Sequence, residues 1–202
     1  MLFRSYEVGY RWRPLERLSL DLAAFYHDYS HLRSLEPAGL QIGPPGTPVT
    51  FIARADNRLY GETYGIEFAP SWQITDWWRL QAAYTFLQMQ LHRDAGSGDT
   101  TSELDEGRNP HHQFSLRSSM DLPHDLELDC AVRYVESLPA IRVPSYVAVD
   151  VRLAWRPLKN LELAIIGQNL LDDRHPEFQS LFIPTERTEV QHSVYGKVTW
   201  RF

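Results

Sequence analysis

The chain has 202 residues, 43% hydrophobic and 23% charged, with a formal net charge of −6 and a single cysteine. No run of about 18 apolar residues exists, which excludes a helical membrane span. The acidic balance gives no support to a nucleic-acid partner, and the solitary Cys130 excludes a disulfide framework and a paired-thiol metal site. The start, Met1-Leu2-Phe3-Arg4-Ser5-Tyr6, lacks the charged and apolar regions of a signal peptide, so if the chain is exported its signal is expected outside this sequence.

The first strand is expected from about Tyr6 to Trp12, with Tyr6, Val8, Tyr10 and Trp12 on one face and Glu7, Gly9 and Arg11 on the other. Arg13-Pro14-Leu15-Glu16 reads as a tight turn. Strand two sets Leu18, Leu20, Leu22, Ala24 and Tyr26 against Ser19, Asp21, Ala23, Phe25 and His27. His31 to Thr50, rich in proline and glycine and without apolar periodicity, is expected to be a long loop. Strand three covers roughly Phe51 to Gln73, where Tyr64, Ile66, Phe68 and Trp72 oppose Gly65, Glu67, Ser71 and Gln73.

After Thr75-Asp76, strand four carries Trp78, Leu80, Ala82, Tyr84 and Phe86 against Arg79, Gln81, Ala83 and Thr85. A polar loop over about His92 to Pro110 precedes strand five, with Phe114, Leu116 and Met120 opposite Gln113, Ser115, Arg117 and Ser119. The turn Pro123-His124-Asp125 leads to strand six, which places Leu126, Leu128, Cys130, Val132 and Tyr134 against Glu127, Asp129, Ala131 and Arg133. A connection around Glu136 to Ser145 leads to strand seven, Val147, Val149, Val151, Leu153 and Trp155 against Ala148, Asp150, Arg152 and Arg156. Beyond Pro157-Leu158-Lys159-Asn160, strand eight opposes Leu161, Leu163 and Ile165 to Glu162, Ala164, Ile166 and Gln168. A last long loop, about Asp172 to Glu189, returns to a terminal strand over Val190 to Phe202, with Lys197 and Arg201 on its polar face.

Nine strands result, with short connections after the odd ones and long connections after the even ones. That alternation gives an all-β, antiparallel up-and-down meander with its tight turns at one end, the layout of an outer-membrane barrel with short periplasmic turns and long extracellular loops. All six tryptophans, Trp12, Trp72, Trp77, Trp78, Trp155 and Trp200, sit beside a short turn or at the C-terminus, as an aromatic girdle at one membrane surface would require. Arg11, Glu67, Arg117, Arg133, Asp150, Arg152, Lys197 and Arg201 are then expected to face the lumen. The competing architecture is a soluble β-sandwich, which would bury the apolar faces against a second layer. Trp12-Arg13-Pro14-Leu15 and Trp155-Arg156-Pro157-Leu158 share one turn solution without a fixed repeat period.

Four stretches carry a resemblance. Ser5-Tyr6-Glu7-Val8-Gly9-Tyr10-Arg11, Leu59-Tyr60-Gly61-Glu62-Thr63-Tyr64-Gly65-Ile66-Glu67, Gly167-Gln168-Asn169-Leu170-Leu171-Asp172-Asp173 and Ser193-Val194-Tyr195-Gly196-Lys197-Val198-Thr199-Trp200-Arg201-Phe202 are similar to elements of TonB-dependent outer-membrane receptors. The first resembles a strand opening with Glu and Gly-Tyr-Arg, the second a Gly-Val-Glu strand and the third an Asn-Leu-Phe-Asp element with Leu171 in place of Phe. The fourth looks like the terminal strand whose last aromatic, here Phe202, is presented to the barrel-assembly machinery.

The resemblance implies that residues 1–202 are the C-terminal portion of a receptor barrel, with the plug domain and the earlier strands elsewhere. It also implies contact with outer-membrane lipid, coupling to the TonB system, and uptake of a ferric siderophore, haem, cobalamin or metal chelate. Nine strands cannot close a barrel of about 22, so the chain alone is expected not to transport. A passive porin-like barrel is the alternative. No catalytic constellation stands out, so the chain reads as no enzyme, and no cofactor is implied. His27, His31, His92, His111, His112, His175 and His192 fall near the long-loop end, but metal-ligand spacing is missing and no metal site is assigned. Asn169 and Asp172 are expected to shape a strand end.

Overall fold

The computed structural model describes residues 1–180 and 186–202. Its strands are β1 (Leu2–Leu15), β2 (Leu18–Gln41), β3 (Thr50–Thr75), β4 (Trp78–Arg93), β5 (His112–Leu122), β6 (Leu126–Val135), β7 (Tyr146–Leu158), β8 (Leu161–Gln168), β9 (Arg174–His175), β10 (Val190–Gln191) and β11 (Ser193–Trp200). Among the described residues, nine of them form one antiparallel sheet in the order β1-β2-β3-β4-β5-β6-β7-β8-β11, while β9 and β10 make a separate two-stranded ladder. β1 and β11 are the edges of the large sheet, which is not closed.

Directly opposed residues in an antiparallel pair share a face, so the register decides which side chains lie together. Trp12 pairs with Leu20, Leu18 with Trp72, Trp72 with Leu80, Trp78 with Met120, Leu126 with Trp155, Trp155 with Leu163 and Leu161 with Trp200. One face of the sheet therefore carries, beside the short turns, an apolar band that runs from edge to edge. No second layer covers it: Val8, Ile165 and Val198 remain 69%, 62% and 70% exposed. Among the described residues, buried apolar clusters are confined to Val135, Tyr146 and Ala148 and to Leu138, Ile141 and Val143. A soluble sandwich would have its core on the face that is bare here, so the sandwich reading is set aside.

The short connections, 16–17, 76–77, 123–125 and 159–160, lie at one end of the sheet, and 42–49, 94–111, 136–145 and the described residues of the connection between β8 and β11 at the other. The expected loop His31 to Thr50 is corrected. β2 runs on to Gln41 and pairs with a β3 that begins at Thr50, so only 42–49 are a connection. Register shifts between Tyr29 and Leu32, between Leu32 and Ser34 and between Pro37 and Gly39 mark bulges there. Each bulge reverses the in-out alternation, which erases the period of two on which a strand is recognised.

The terminal strand expected over Val190 to Phe202 is also interrupted. Val190 and Gln191 pair with His175 and Arg174, and Ser193–Trp200 pair with β8. The break falls at His192, whose backbone N–H donates to the Asp173 carbonyl at 3.2 Å instead of joining the ladder. Two 3-10 turns, Ser102–Arg108 and Pro139–Ile141, lie within the connections 94–111 and 136–145.

Two glycines of the polar face behave differently. A Cβ at Gly65 would run into the Phe86 carbonyl oxygen and come within 2.6 Å of the Phe25 ring, which lies across from it in the register. At Gly9 the nearest heavy atom would be 3.8 Å away. Gly65→Ala is therefore expected to cost about 1–3 kcal/mol through overpacking. Gly9→Ala is expected to leave the sheet intact. Refolding yield in detergent, followed by far-ultraviolet circular dichroism, separates the two; equal yields would contradict the clash.

Candidate functional site: the polar wall and its outer connections

The opposite face gathers the charges. Arg11 pairs with Asp21, Ala23 with Glu67, Glu67 with Thr85, Gln81 with Arg117, Arg117 with Ala131 and Ser115 with Arg133. Ala131 in turn pairs with Asp150, Asp129 with Arg152, and Ala164 with Lys197. Seven of the eight residues expected to face the lumen thus share one side of the sheet. The eighth, Arg201, lies just past β11, where its backbone N–H donates to the Asn160 carbonyl at 2.9 Å.

Near the short-turn end the wall carries a charge network. Arg152 on β7 reaches Glu127 at 3.1 Å, Asp129 at 3.0 Å and Glu162 at 2.8 Å, on both neighbouring strands. Arg156, four residues further along the same face, bridges Glu127 at 2.6 Å and Glu162 at 3.2 Å. Ser119 donates to Asp129 at 2.7 Å. Elsewhere on the wall Arg11 pairs with Asp21, and Arg133 with Glu177 at 2.7 Å.

Toward the long-loop end the wall becomes aromatic. The His27 ring stacks on Phe25 at 5.0 Å and meets the Phe3 ring edge-on at 5.3 Å, while Phe3 stacks on Tyr29 at 5.1 Å. Glu7 lies 3.5 Å from His27 Nε2. Phe3, Phe25 and Tyr29 thus interrupt the polar face, where the alternation placed only Phe25.

Beyond the sheet the connection 94–111 clasps the β2–β3 hairpin. Asp99, 1% exposed, accepts hydrogen bonds from Leu35 N–H at 2.7 Å, Thr101 N–H at 2.9 Å, Thr101 Oγ1 at 3.0 Å, Ser102 N–H at 3.0 Å and Ser102 Oγ at 2.5 Å. These donors hold its carboxyl far below the ordinary carboxylate range although burial opposes the charge. Glu36 accepts from Ser34 Oγ, Ser97 Oγ and Gly98 N–H at 2.7–2.8 Å. Arg93 donates to the Asp99 carbonyl, and Arg58 to that of Gly96. None of these residues stood out in the sequence, although Asp99 followed at two and three residues by Thr101 and Ser102 is a turn-forming pattern.

Trp12, Trp72, Trp78, Trp155 and Trp200 stand on the apolar face beside the short turns or the last residues. Trp77 belongs to the turn 76–77, with its ring stacked on Trp78 at 6.1 Å. Phe202 follows β11 and is fully exposed. Asn169 closes β8 with φ 52°: its N–H donates to Asp150 at 2.9 Å and its amide to the Val190 carbonyl at 3.2 Å. Of the adjacent histidines, His112 stacks on Tyr84 and meets Phe86 at a tilt, whereas His111 lies 3.9 Å from Glu136. Among the described residues no three His, Cys, Asp or Glu side chains are grouped to hold a metal ion.

The sequence profile of the family described as TonB dependent receptor-like, beta-barrel, matches residues 4–170. The chain belongs to the TonB-dependent receptor β-barrel family. It is accordingly a protein of the bacterial outer membrane. The chain is 24% identical over 186 residues to the probable TonB-dependent siderophore receptor PiuA of Acinetobacter baumannii, covering 85% of this chain and 23% of that relative. Its fold superposes on the crystal structure of PiuA from that organism with a TM-score of 0.71 and 22% identity, over 98% of this chain and 28% of the other. With the FrpB iron transporter from Neisseria meningitidis the TM-score is 0.74 at 15% identity, over 99% of this chain and 31% of the other. This TonB-dependent receptor barrel chain thus spans about a quarter of the length of the curated relative it matches.

Proposed function

We propose that the sheet is the C-terminal part of the barrel wall of a receptor that takes up a scarce ligand at the expense of TonB-coupled energy. The observation that carries this is the family match over residues 4–170, on a sheet with one mainly apolar face and one that gathers charges. The ligand class is a ferric siderophore or related metal chelate, the kind of cargo named for PiuA. In this reading the apolar face meets outer-membrane lipid and the tryptophans mark its periplasmic border. Arg11, Glu67, Arg117, Arg133, Asp150, Arg152, Lys197 and Arg201 form the lumen wall against which a plug domain packs. Phe202 is the residue read by the barrel-assembly machinery, and β1 and β11 are closed by strands outside this chain.

Cells lacking siderophore receptors provide the test, with uptake of radiolabelled ferric siderophore as the readout. Expression of this chain alone is expected to give no uptake, whereas a PiuA whose corresponding C-terminal strands are replaced by residues 4–202 is expected to assemble and transport. Uptake by the chain alone would refute the partial-wall reading. Ligand-independent conductance of the purified chain in planar bilayers would instead favour a passive pore.

A further inference from the structure

The five tryptophans of the apolar face do not lie in one row of the ladder. Trp12 is in register with Leu20 and through it with Pro70, and Trp72 stands two residues nearer the short turns than Pro70. Trp72 pairs with Leu80, and Trp78 is again two residues nearer the turns. Trp78 is in register through Met120 and Leu128 with Leu153, and Trp155 lies two residues beyond Leu153. Trp155 is in register through Leu163 with Val198, and Trp200 lies two residues beyond Val198. From β1 to β11 the girdle therefore descends eight residues over the eight strand-to-strand steps of the sheet.

The opposite border of the same face descends at the same rate. Arg4, Asp28, Glu62 and Gln90 share one row, with Arg4 and Asp28 paired at 3.6 Å. On β5 the polar residue is His112, in register with Phe86 and so four residues nearer the short turns than Gln90 after four steps. At β11 the ladder breaks at His192, eight residues before Trp200, as Arg4 stands eight before Trp12. Tyr6, Tyr26 and Tyr64 share the row just inside this border, and Ser118, within the band, accepts the Trp78 indole N–H at 3.0 Å. A membrane plane cutting tilted strands makes indoles and charges shift together; a second protein layer would demand no such slant. With a rise of about 3.3 Å per residue and about 4.8 Å between strands, one residue per strand is a tilt of about 35°. Eight residues then cover about 26 Å along a strand and about 22 Å along the membrane normal.

We propose that this face is shaped for a hydrocarbon layer of about 22 Å, thinner than the ~30 Å of an average bilayer, crossed by strands tilted about 35°. Arg4, Asp28, Glu62 and His112 mark its outer edge, at the level of the lipid headgroups. Cys130 is six residues from Glu136, whose N–H donates to the His112 carbonyl, and four from Leu126, the partner of Trp155, so it stands near the middle of the layer. The β2–β3 hairpin beyond Asp28 and Glu62, with its clasp at Asp99, lies wholly outside the membrane. This placement rests on the lipid-facing reading of the apolar face and does not depend on which ligand the receptor takes.

The test refolds the chain into phosphatidylcholine bilayers whose lipids carry bromine either close to the carbonyls or close to the chain ends. A fluorescent label on the native Cys130 is expected to be quenched more by the deep bromines, and tryptophan emission more by the shallow ones. Val8→Cys and His112→Cys, each on a Cys130→Ser background, read the tilt. Val8 and His112 share one ladder row through Ala24, Ile66 and Phe86. The tilt nevertheless puts Val8 at the depth of Cys130 and His112 about 11 Å nearer the surface. Equal depths for these two labels would overturn the tilt, and stronger quenching of Cys130 by shallow bromines would overturn the placement. Insertion yield should be higher in bilayers of about 22 Å of hydrocarbon than of about 30 Å, and the reverse order would overturn the thickness. Quenching of neither Cys130 nor the tryptophans by either lipid would instead sink the lipid-facing reading itself. Both of these native probes need no substitution, so the depth test holds even if a cysteine variant fails to refold.

Discussion

Asp99→Ala is expected to detach the connection 94–111 from the β2–β3 hairpin while leaving the nine-stranded sheet in place. The carboxylate is buried and accepts five hydrogen bonds, one of them from Leu35 on β2 and the others from Thr101 and Ser102 in its own turn. Removing it leaves three backbone N–H groups and two hydroxyls unmatched. Hydrogen bonds to a charged acceptor are worth about 1.5–3 kcal/mol and are not additive, so the local loss is about 3 kcal/mol, close to a hundredfold in the opening equilibrium. Exchange protection of Leu35 and of 97–102 should fall by that factor, while strand amides near the short turns, such as those of β6, keep theirs. Asp99→Asn does not rescue the clasp, because its amide presents donors to donors.

The pH dependence has a definite sign. The carboxyl is held below its ordinary value by five donors, so the folded clasp binds its proton less readily than the open one. Its contribution is complete above the ordinary aspartate range near pH 4 and is lost only as pH falls through the depressed value. The clasp therefore persists in acid that would already protonate an unconstrained aspartate. Loss of protection at 97–102 by pH 4 would contradict this.

What the sequence made legible and what it did not separate along one line. Where each strand has a dry face and a wet face, as in Tyr6 to Trp12 or Leu126 to Tyr134, alternation is imposed by the two environments and can be read directly. At the long-loop end of β2, from His31 to Gln41, no apolar face is demanded and bulges shift the register, so the pattern disappears although the strand continues. Alternation also placed Arg152, Glu127, Asp129 and Glu162 on one side, but their convergence depends on register between three strands, a property of pairing and not of any one segment. Asp99 was illegible for a related reason: its partner Leu35 is distant in the chain.

Arg152→Met is expected to be the most damaging single change on the wall itself. It removes one guanidinium that neutralises Glu127, Asp129 and Glu162 across β6, β7 and β8, leaving Arg156 to face two of them and Asp129 with Ser119 alone. All four side chains are no more than about a third exposed, at 28%, 22%, 32% and 15%, so solvent screens the remaining carboxylates incompletely. Breaking such a network by deleting one partner costs about 3 kcal/mol, whereas replacing the whole set by uncharged groups of similar shape is far milder. The triple change Asp129→Asn with Glu162→Gln on the Arg152→Met background should therefore recover most of the loss. Urea midpoints of the refolded chains, read by tryptophan fluorescence, decide it. If the single variant matches the unmodified chain, water screens this wall and the network is only a surface pairing; if the triple variant is no better than the single, Arg152 acts through the packing of its stem. The recovery pattern follows from the register that sets β6, β7 and β8 side by side, which makes it a test of that pairing as much as of the charge.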